Sequence, residues 1–305
     1  MAQVVILGVF VADTAYRADR QPKMGETILG TNFVLGPGGK GSNQSVAAAR
    51  LGGDVTFISK LGQDPFGDMA IETWKNAGVK TAVKRVADTY TGAAYIFIEN
   101  GTGNNAIIIA PGAAATISVT DIEENAALIR AAKVFVTQLE QPISAARRAL
   151  QIARKAGVAT ILNPAPAASL EADIFGLCDY MTPNETEAEA LTGLPVTNLV
   201  QARQAADALI AKGVGTVIIT LGEKGALIHG RQFSEPVPAI SAGPVVETTG
   251  AGDAFNGAFA VALAEGMTPI QAVRFGCATA GISVTRPGTA PSMPSRAEVE
   301  ALLAR

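Results

Sequence analysis

The residues best suited to chemistry lie in one stretch of the sequence, Glu247 to Gly257 (ETTGAGDAFNG). The apolar spacing that follows predicts a helix over 254–265, so Gly250, Ala251 and Gly252 would lie where that helix begins. The first amides of a helix have no partner within it and carry partial positive charge, and glycine lets an anion approach them closely. The stretch therefore predicts an anion-binding turn.

An acidic residue, Asp253, directly follows this turn. A carboxylate there would repel a phosphate, unless it accepts a proton from a hydroxyl group that attacks the phosphate. Phosphoryl transfer to an alcohol uses that arrangement, because a carboxylate orients the nucleophile while fixed dipoles hold the developing charge. The alternative is that Asp253 only caps the helix. Val245 and Val246, just before the motif, predict the end of a strand.

A second glycine-rich segment, Gly36 to Gln44 (GPGGKGSNQ), precedes a predicted helix that ends at Gly52. The segment lacks the spacing of a Walker A phosphate loop. Its backbone amides, the Lys40 ammonium and the Asn43 carboxamide could together bind one small polyhydroxylated ligand. The alternative is a plain helix start with a solvated lysine.

The rest of the pattern predicts the elements that position these segments. Val4 to Val9 is a continuous apolar run, typical of a strand buried on both faces. Asp13 would lie near the carboxyl end of that strand, where open α/β sheets bind ligands. From Val55 to Leu221, strand and helix patterns alternate. The sequence therefore predicts an α/β fold with a doubly wound, mostly parallel sheet flanked by helices.

Two segments do not fit this alternation. Residues 16–35 and 91–109 have no helical period and show short strand patterns, the second around the turn Asn100-Gly101. They predict short antiparallel strands that form one small sheet outside the main one.

Polar residues follow three of the predicted strands. Glu140 follows one strand, Asn163 another, and Asn184 with Glu187 a third. Asn184 and Glu187 could organise Mg²⁺ and water beside a nucleotide's phosphates, or could form a capping box at a helix start. Glu140 could equally be an ordinary acid before a helix. The turn from Thr220 to Gly225 could hold phosphate or adenosine, or could be an ordinary β-turn.

Composition limits the remaining classes of function. The 305 residues are 48% hydrophobic and carry a net charge of −3, which predicts a large core and gives no basic surface for nucleic acid or a membrane. The N-terminus predicts a first strand and not a signal peptide. Cys178 and Cys277 are far apart in sequence, which favours reduced thiols in the cytoplasm. A single histidine, His229, favours neither a zinc site nor a Ser-His triad.

Two long motifs, 38–44 (GGKGSNQ) and 248–257 (TTGAGDAFNG), occur in the order found in ribokinases, and the phrases TPNETEAE and NPAPA match that family too. On these residues the sequence resembles the ribokinases of the PfkB group of sugar kinases, almost from end to end. The resemblance implies one ribokinase-like domain over 1–305, with the strands of a β-sheet lid inserted at about 12–36 and 90–110. It also implies ATP-dependent phosphorylation of D-ribose at O5, and a homodimer formed through the lid.

The resemblance also implies roles for individual residues. Asp253 falls on the catalytic base, and Gly250, Ala251 and Gly252 fall on the anion hole for the transferred phosphoryl group. The implied sugar-binding positions are Val11, Ala12, Asp13, Gly39, Lys40, Gly41, Ser42, Asn43, Glu140 and Asp253. The implied ATP-binding positions, with Mg²⁺ near Glu187, are Asn184, Glu187, Thr220, Leu221, Gly222, Glu223, Lys224, Gly225, Gly252, Asp253 and Cys277. The implied site for K⁺ or a similar monovalent cation consists of Glu247, Thr249, Ser283, Arg286, Gly288 and Ser292.

The first departure from the ribokinase pattern concerns the sugar. Val11 stands where ribokinases usually carry Asn, so one donor and acceptor facing the sugar is lost. A site that lacks a hydrogen bond to one hydroxyl rejects the sugar without that hydroxyl less firmly, so 2-deoxyribose, another pentose or a nucleoside is an alternative acceptor. A sugar or nucleotide sensor without turnover is a further alternative, although Gly250, Gly252 and Asp253 are all present.

The second departure is Glu247, which stands where ribokinases usually carry Asp in the cation loop. A carboxylate that is one methylene longer can still bind K⁺ if the loop shifts to accommodate it. We therefore expect K⁺ to activate turnover, measured against a bulky organic cation at equal ionic strength. Equal turnover with the two cations would contradict this expectation.

Overall fold

The structure is a computed structural model that describes residues 3–102 and 104–305. Its strands are β1 (Gln3–Leu7), β2 (Val11–Ala18), β3 (Asn32–Gly38), β4 (Asp54–Gly62), β5 (Lys80–Val86), β6 (Thr91–Glu99), β7 (Asn105–Gly112), β8 (Val134–Thr137), β9 (Ala159–Leu162), β10 (Tyr180–Met181), β11 (Thr216–Thr220), β12 (Ala226–Gly230) and β13 (Phe233–Val237). Its α-helices are α1 (Lys40–Arg50), α2 (Pro65–Ala77), α3 (Val119–Glu124), α4 (Ala126–Ala131), α5 (Ile143–Lys155), α6 (Ala172–Phe175), α7 (Glu185–Thr192), α8 (Leu199–Ala211), α9 (Ala251–Ala264), α10 (Pro269–Ser283) and α11 (Arg296–Leu303).

The main sheet has nine strands in the order β13-β12-β11-β10-β9-β8-β1-β4-β5. Neighbouring strands from β11 to β5 run parallel, and β12 and β13 add an antiparallel edge. Helices cover both faces. The predicted α/β fold with a mostly parallel sheet flanked by helices is thus confirmed.

The position of β1 between two apolar cores explains why its sequence is apolar. Val4 and Ile6 point into one core, which contains residues of α1, α9, α10 and α11, whereas Val5 and Leu7 point into a second core with residues of α5 and α8. Successive side chains of a strand face opposite sides of the sheet, so a central strand covered on both sides has no solvent-facing position.

A separate sheet of four strands has the order β3-β2-β6-β7. The β2-β3 and β6-β7 pairs are antiparallel, but the central pair, β2 with β6, is parallel, whereas the sequence patterns predicted antiparallel strands. The two hairpins lie side by side in the same direction. Local turn signals predict the strands within each hairpin, and they carry no information on how two distant hairpins align.

The structure refines one sequence prediction about the connections and contradicts another. Asp13, predicted near the carboxyl end of the first strand, follows Leu7 by six residues and is the third residue of β2 in the small sheet. Val245 and Val246 are exposed and lie outside any strand, because the amides of Val246 and Glu247 both donate to the Val284 carbonyl and form no ladder.

Among the described residues, no helix is long and apolar enough to cross a membrane. Both cysteines, Cys178 and Cys277, are buried and unpaired with each other.

Candidate active site

The two glycine-rich motifs meet because α1 and α9 pack closely against each other. Gly257 in α9 permits this contact, since a Cβ atom there would lie 2.6 Å from the Gln44 carbonyl oxygen and 2.7 Å from the Ala47 Cβ. Such distances are shorter than van der Waals contact allows. The absence of a side chain at one position therefore brings the start of α1 next to the start of α9.

Asp253 lies in the first turn of α9 and is buried. Its carboxylate accepts two hydrogen bonds from α1: Asn43 Nδ2 donates to Oδ2 at 3.0 Å, and Gln44 Nε2 donates to Oδ1 at 3.1 Å. The acid is thus oriented by two side chains of the other motif and does not act as the N-cap, a position that Gly250 occupies.

The turn before Asp253 has the conformation that an anion site needs. Gly250 has φ 85° and ψ −5°, a left-handed conformation that favours glycine. Gly252 is exposed, and a Cβ atom on it would have no neighbour within 4 Å. The turn therefore faces free space at Gly252, beside a buried carboxylate, whereas the Ala251 amide donates to the Thr248 carbonyl at 3.2 Å.

Three of the charged residues near Asp253 belong to the predicted sugar-binding positions. The Lys40 amide donates to Glu140 Oε2 at 2.8 Å, which ties the start of α1 to the segment after β8. The Asp13 carboxylate packs over Gly38, where a Cβ atom would collide with it. Asp13, Lys40 and Glu140 thus come from β2, α1 and the end of β8 and face one region.

Burial is the largest influence on the pKa values of the titratable side chains in this region. Burial raises the pKa of Asp13 to about 6 and that of Glu140 to about 7, and the nearby charge of Asp253 adds to both rises. Burial also raises the pKa of Asp253, against the opposing effects of the Lys40 charge and of the hydrogen bonds from Asn43 and Gln44. Burial lowers the pKa of Lys40, but the three carboxylates of Asp253, Glu140 and Glu187 outweigh it, so the net pKa is raised.

The residues predicted for the nucleotide lie at the neighbouring strand ends. Asn184 caps α7 and forms a reciprocal capping box with Glu187, in which Asn184 N donates to Glu187 Oε2 and Glu187 N donates to Asn184 Oδ1, each at 2.8 Å. The structure therefore shows the capping box, which was the alternative interpretation of Asn184 and Glu187. Asn184 also forms a β-bridge with Thr220, which begins the turn that ends at Gly225.

Two loops at the end of α10 carry the positions predicted for a monovalent cation. Glu247 Oε2 accepts from the Gly288 amide at 2.9 Å, and the Ser283 and Ser292 hydroxyls are 2.8 Å apart. The Arg286 side chain turns away to pair with Glu298. No cluster of three or more His, Cys, Asp or Glu side chains that could hold a metal occurs within residues 3–102 and 104–305. A cation here would therefore rely on one carboxylate, hydroxyls and main-chain oxygens.

Several predicted site residues have side chains that face the core. Ser42 Oγ accepts from Trp74 Nε1 at 2.9 Å and is fully buried. Val11 and Ala12 lie in the two apolar cores, and Cys277 lies in the core beside α9, where burial raises the pKa of its thiol to about 12. Of these four residues, only main-chain atoms could contact a ligand without rearrangement.

Sequence reasoning missed the buried amides and hydroxyls that support the site. Gln138, directly after β8, donates to Gln44, and Asn163, directly after β9, accepts from Gln44. Thr182, after β10, donates to Asn256, whose Nδ2 donates to the Gly252 carbonyl at 2.8 Å. These residues share one signal in the sequence, a polar residue directly after an apolar strand run. The prediction used this signal at Asn163 but not at Gln138.

A substitution of Glu140 tests the electrostatic account. The folded-state pKa of about 7 lies above the ordinary value of 4.5, so the folded protein binds more protons between these pH values and the contribution of this group to stability falls as pH rises through that window. We expect Glu140→Gln to raise the free energy of unfolding of the ligand-free protein by about 1–3 kcal/mol at pH 8 and to make little difference at pH 4.5. Urea unfolding at several pH values measures this difference. Glu189→Gln, at an exposed position, is the control. An increase in the free energy of unfolding of Glu140→Gln that is the same at every pH would contradict the account.

Comparisons with known proteins agree with this arrangement. The sequence profile of the pfkB family carbohydrate kinases matches residues 1–296. A ribokinase of Haemophilus influenzae is 40% identical over 97% of this chain and 96% of its own length, and a deoxyribokinase of Salmonella typhi is 38% identical over 96% and 95%. The structure of Arabidopsis thaliana ribokinase complexed with ribose and ATP aligns with a TM-score of 0.93 at 34% identity, covering 99% of this chain and 98% of that one. The chain therefore belongs to the pfkB family of carbohydrate kinases.

Proposed function

We propose that this protein transfers the terminal phosphoryl group of ATP to O5 of D-ribose, which yields ribose 5-phosphate and ADP. The observation that carries the proposal is the placement of the buried Asp253 carboxylate beside the turn that begins α9, where the Gly252 position faces free space. The similarity to ribokinases and to a ribokinase complexed with ribose and ATP supports the choice of substrates.

Each part of the proposed site then contributes to one step of the phosphoryl transfer. Asp13, Lys40, Asn43 and Glu140 bind sugar hydroxyls and bring O5 towards Asp253. Asp253 accepts the O5 proton while O5 forms a bond to the γ-phosphorus, and the bond from that phosphorus to the bridging oxygen of ADP breaks. The amides of the α9 turn hold the negative charge on the transferred phosphoryl oxygens.

The nucleotide would lie over the ends of β10 and β11. The Thr220 to Gly225 turn and Cys277 line the proposed ATP side, with Asn184 and Glu187 nearest the phosphates. Mg²⁺ keeps several water ligands and binds through few protein carboxylates, so the sparse donor set around Glu187 fits it. When bound, Mg²⁺ would neutralise phosphate charge. Glu187 would act through that ion and its waters.

The monovalent cation belongs to the same proposal. Glu247 and Thr249, with oxygens near Ser283, Gly288 and Ser292, flank the turn that begins at Gly250. A Cβ atom on Gly250 would lie 3.2 Å from Thr289 Cα, so the cation loop and the anion turn are in direct contact. A bound K⁺ would therefore act by fixing the turn that holds the transferred phosphoryl group.

The small sheet is proposed to cover the sugar and to form a homodimer. It supplies Asp13 to the site, and its edge strands expose Phe33, Leu35, Ile107 and Ile109. Exposed apolar side chains on sheet edges are usually covered by a partner. A monomeric mass in solution at micromolar concentration would contradict the dimer. A cytoplasmic location is part of the proposal, supported by the two free, buried cysteines, and cell fractionation would test it.

The second candidate acceptor is 2-deoxyribose. The deoxyribokinase of Salmonella typhi is nearly as similar as the ribokinase of Haemophilus influenzae. Val11 offers no side-chain hydrogen bond, and Asp13 lies two residues further along β2. Other pentoses and nucleosides remain weaker alternatives. A sensor without turnover is disfavoured because the proposed base and the open turn are both intact.

Replacing the proposed base tests the mechanism. We expect Asp253→Asn to lower kcat by about 10² or more, because the amide cannot accept the O5 proton, while sugar and ATP binding change little. Turnover with coupled ADP detection and binding by calorimetry measure the two effects. Glu185→Gln, on the first turn of α7, is the matched acid-to-amide control. Full turnover in Asp253→Asn would remove Asp253 from the role of base.

The acceptor is tested by comparing kcat/KM for ribose and 2-deoxyribose. We expect the ratio to be below about 10², because a site without a dedicated hydrogen bond discriminates weakly against a missing hydroxyl. Val11→Asn should raise the ratio at least tenfold, because an amide without a partner in the apolar core will turn towards the sugar and restore a donor and acceptor. Thermal melting of Val11→Asn measures the stability lost by burying an amide, which distinguishes that loss from the change in the kcat/KM ratio. A ratio above 10⁴ in the natural chain would contradict the role given to Val11.

A further inference from the structure

Buried carboxamides outside the proposed sugar- and nucleotide-binding positions connect Asp253 to the edge of the main sheet. Gln44 and Gln138 are fully buried, and Asn163 is 6% exposed. Groups of this kind are costly to bury unless each is hydrogen-bonded, so three of them together suggest a task beyond packing.

Their hydrogen bonds form one directed chain. Gln138 Nε2 donates to Gln44 Oε1 at 2.7 Å, and Gln44 Nε2 donates both to Asn163 Oδ1 and to Asp253 Oδ1, each at 3.1 Å. Asn163 Nδ2 donates to the main-chain carbonyl of Thr182 at 3.0 Å.

The direction of the chain follows from its last member. The Thr182 carbonyl can only accept a hydrogen bond, so Asn163 must turn its NH₂ group towards it and its oxygen towards Gln44. Gln44 must then direct its own NH₂ group at Asn163 and Asp253. Gln138 satisfies the remaining oxygen of Gln44. One main-chain carbonyl thereby fixes the orientation of the amide that faces Asp253.

The fold places these groups without any contribution from a ligand. Gln138, Asn163 and Thr182 directly follow β8, β9 and β10, which are adjacent parallel strands whose carboxyl ends share one edge. Gly41 makes room for the chain, because a Cβ atom there would lie 2.8 Å from Gln138 Oε1.

We infer that Gln44 is a positioning residue of the phosphoryl transfer: Gln138 and Asn163 hold its amide in one orientation, and Gln44 in turn keeps Asp253 ionised and aimed at the sugar hydroxyl. The inference rests on the proposed function. Asp253 Oδ1 retains a free lone pair after accepting from Gln44, so it can still receive the proton of the substrate. Reversal of the Gln44 amide would place an oxygen against the carboxylate and disfavour its charged form.

The other charges around Asp253 come from four elements. They are Asp13 on β2, Lys40 on α1, Glu140 after β8 and Glu187 on α7. Burial raises the pKa of Asp253, and the Lys40 charge and the amides of Asn43 and Gln44 oppose that rise. Lys40 and Asn43 are also proposed to bind the sugar. Gln44 is the one opposing group whose sole proposed role is to act on Asp253.

The test replaces Gln44 by Met, which keeps the side-chain length and removes the donor. We expect the acid limb of the pH profile of kcat/KM to move up by about one to two pH units, because a hydrogen bond to a charged group changes an equilibrium by roughly that many factors of ten. KM for both substrates should stay within about threefold at pH 8.5. Gln141→Met is the matched control, since Gln141 is also buried but donates to Thr137 and to the Gln138 carbonyl and not towards Asp253.

A second readout does not depend on turnover. Titration of ¹³C-labelled aspartate carboxyls by NMR, with Asp253→Asn to assign the signal, should show the same upward shift in Gln44→Met. An unmoved Asp253 titration in Gln44→Met, or an equal shift in Gln141→Met, would overturn the inference. A chain that shows the NMR shift but phosphorylates no sugar would refute the proposed function and leave the effect of Gln44 on the carboxyl standing.

Should Gln44→Met not fold, Gln138→Met tests the same chain from one step further away. Gln138 is linked to Asp253 only through Gln44, so its loss leaves the Gln44 oxygen unpaired and removes one of the two contacts that hold the Gln44 amide. We expect a shift of the Asp253 titration in the same direction and of smaller size. No shift in this variant would equally overturn the inference.

Discussion

A buried carboxylate beside the glycine turn that begins α9 is the constraint on which the rest of the candidate site depends. Burial alone would favour the neutral form of Asp253, because it raises the pKa of this carboxyl group. The chain offsets burial with the Lys40 charge and with two amide donors from α1. Those donors are available only because α1 and α9 approach closely at Gly257, which the apolar packing of the helices on the sheet enforces. The chemistry of the site is therefore a consequence of helix packing.

The site also depends on contacts between segments that are far apart in sequence. Thr289 Oγ1 donates to the Pro37 carbonyl at 2.8 Å, and Thr289 also lies against Gly250. The glycine-rich start of α1, the turn before α9 and the proposed cation loop thus touch at one residue. A change in any of the three segments will affect the other two, because Thr289 contacts both of its neighbours directly.

The sequence predicted what depends on local periodicity and on linear motifs. The apolar run of β1, the alternation of strands and helices and the helix start at Gly250 were all readable, since each reflects burial or backbone conformation within a few residues. The register of the small sheet was not, because β2 pairs in parallel with a strand about eighty residues away. Val245 and Val246 were misread for a related reason: two apolar residues indicate a strand only if a neighbouring strand offers a ladder.

The residues of the candidate site also divide into those that the sequence could predict and those that it could not. Asp253, Lys40, Asn43 and Glu140 could be named because their residue types follow glycine turns or strand ends. Their support by Gln138 and Thr182 could not, since a polar residue after a buried strand becomes informative only when the order of the strands is known. Ser42 was assigned to the sugar by its place in a motif, yet its hydroxyl faces Trp74 in the core.

The burial of both cysteines has a practical consequence for studying movement of the small sheet. Thiol reagents attack the thiolate, and burial raises the pKa of Cys178 and raises that of Cys277 to about 12, so neither native thiol will be alkylated readily at neutral pH. A cysteine introduced at an exposed position of β7, such as Ile108, would then carry a maleimide dye without removal of the native ones. Fluorescence from such a dye would report directly on whether the sheet closes when sugar is added.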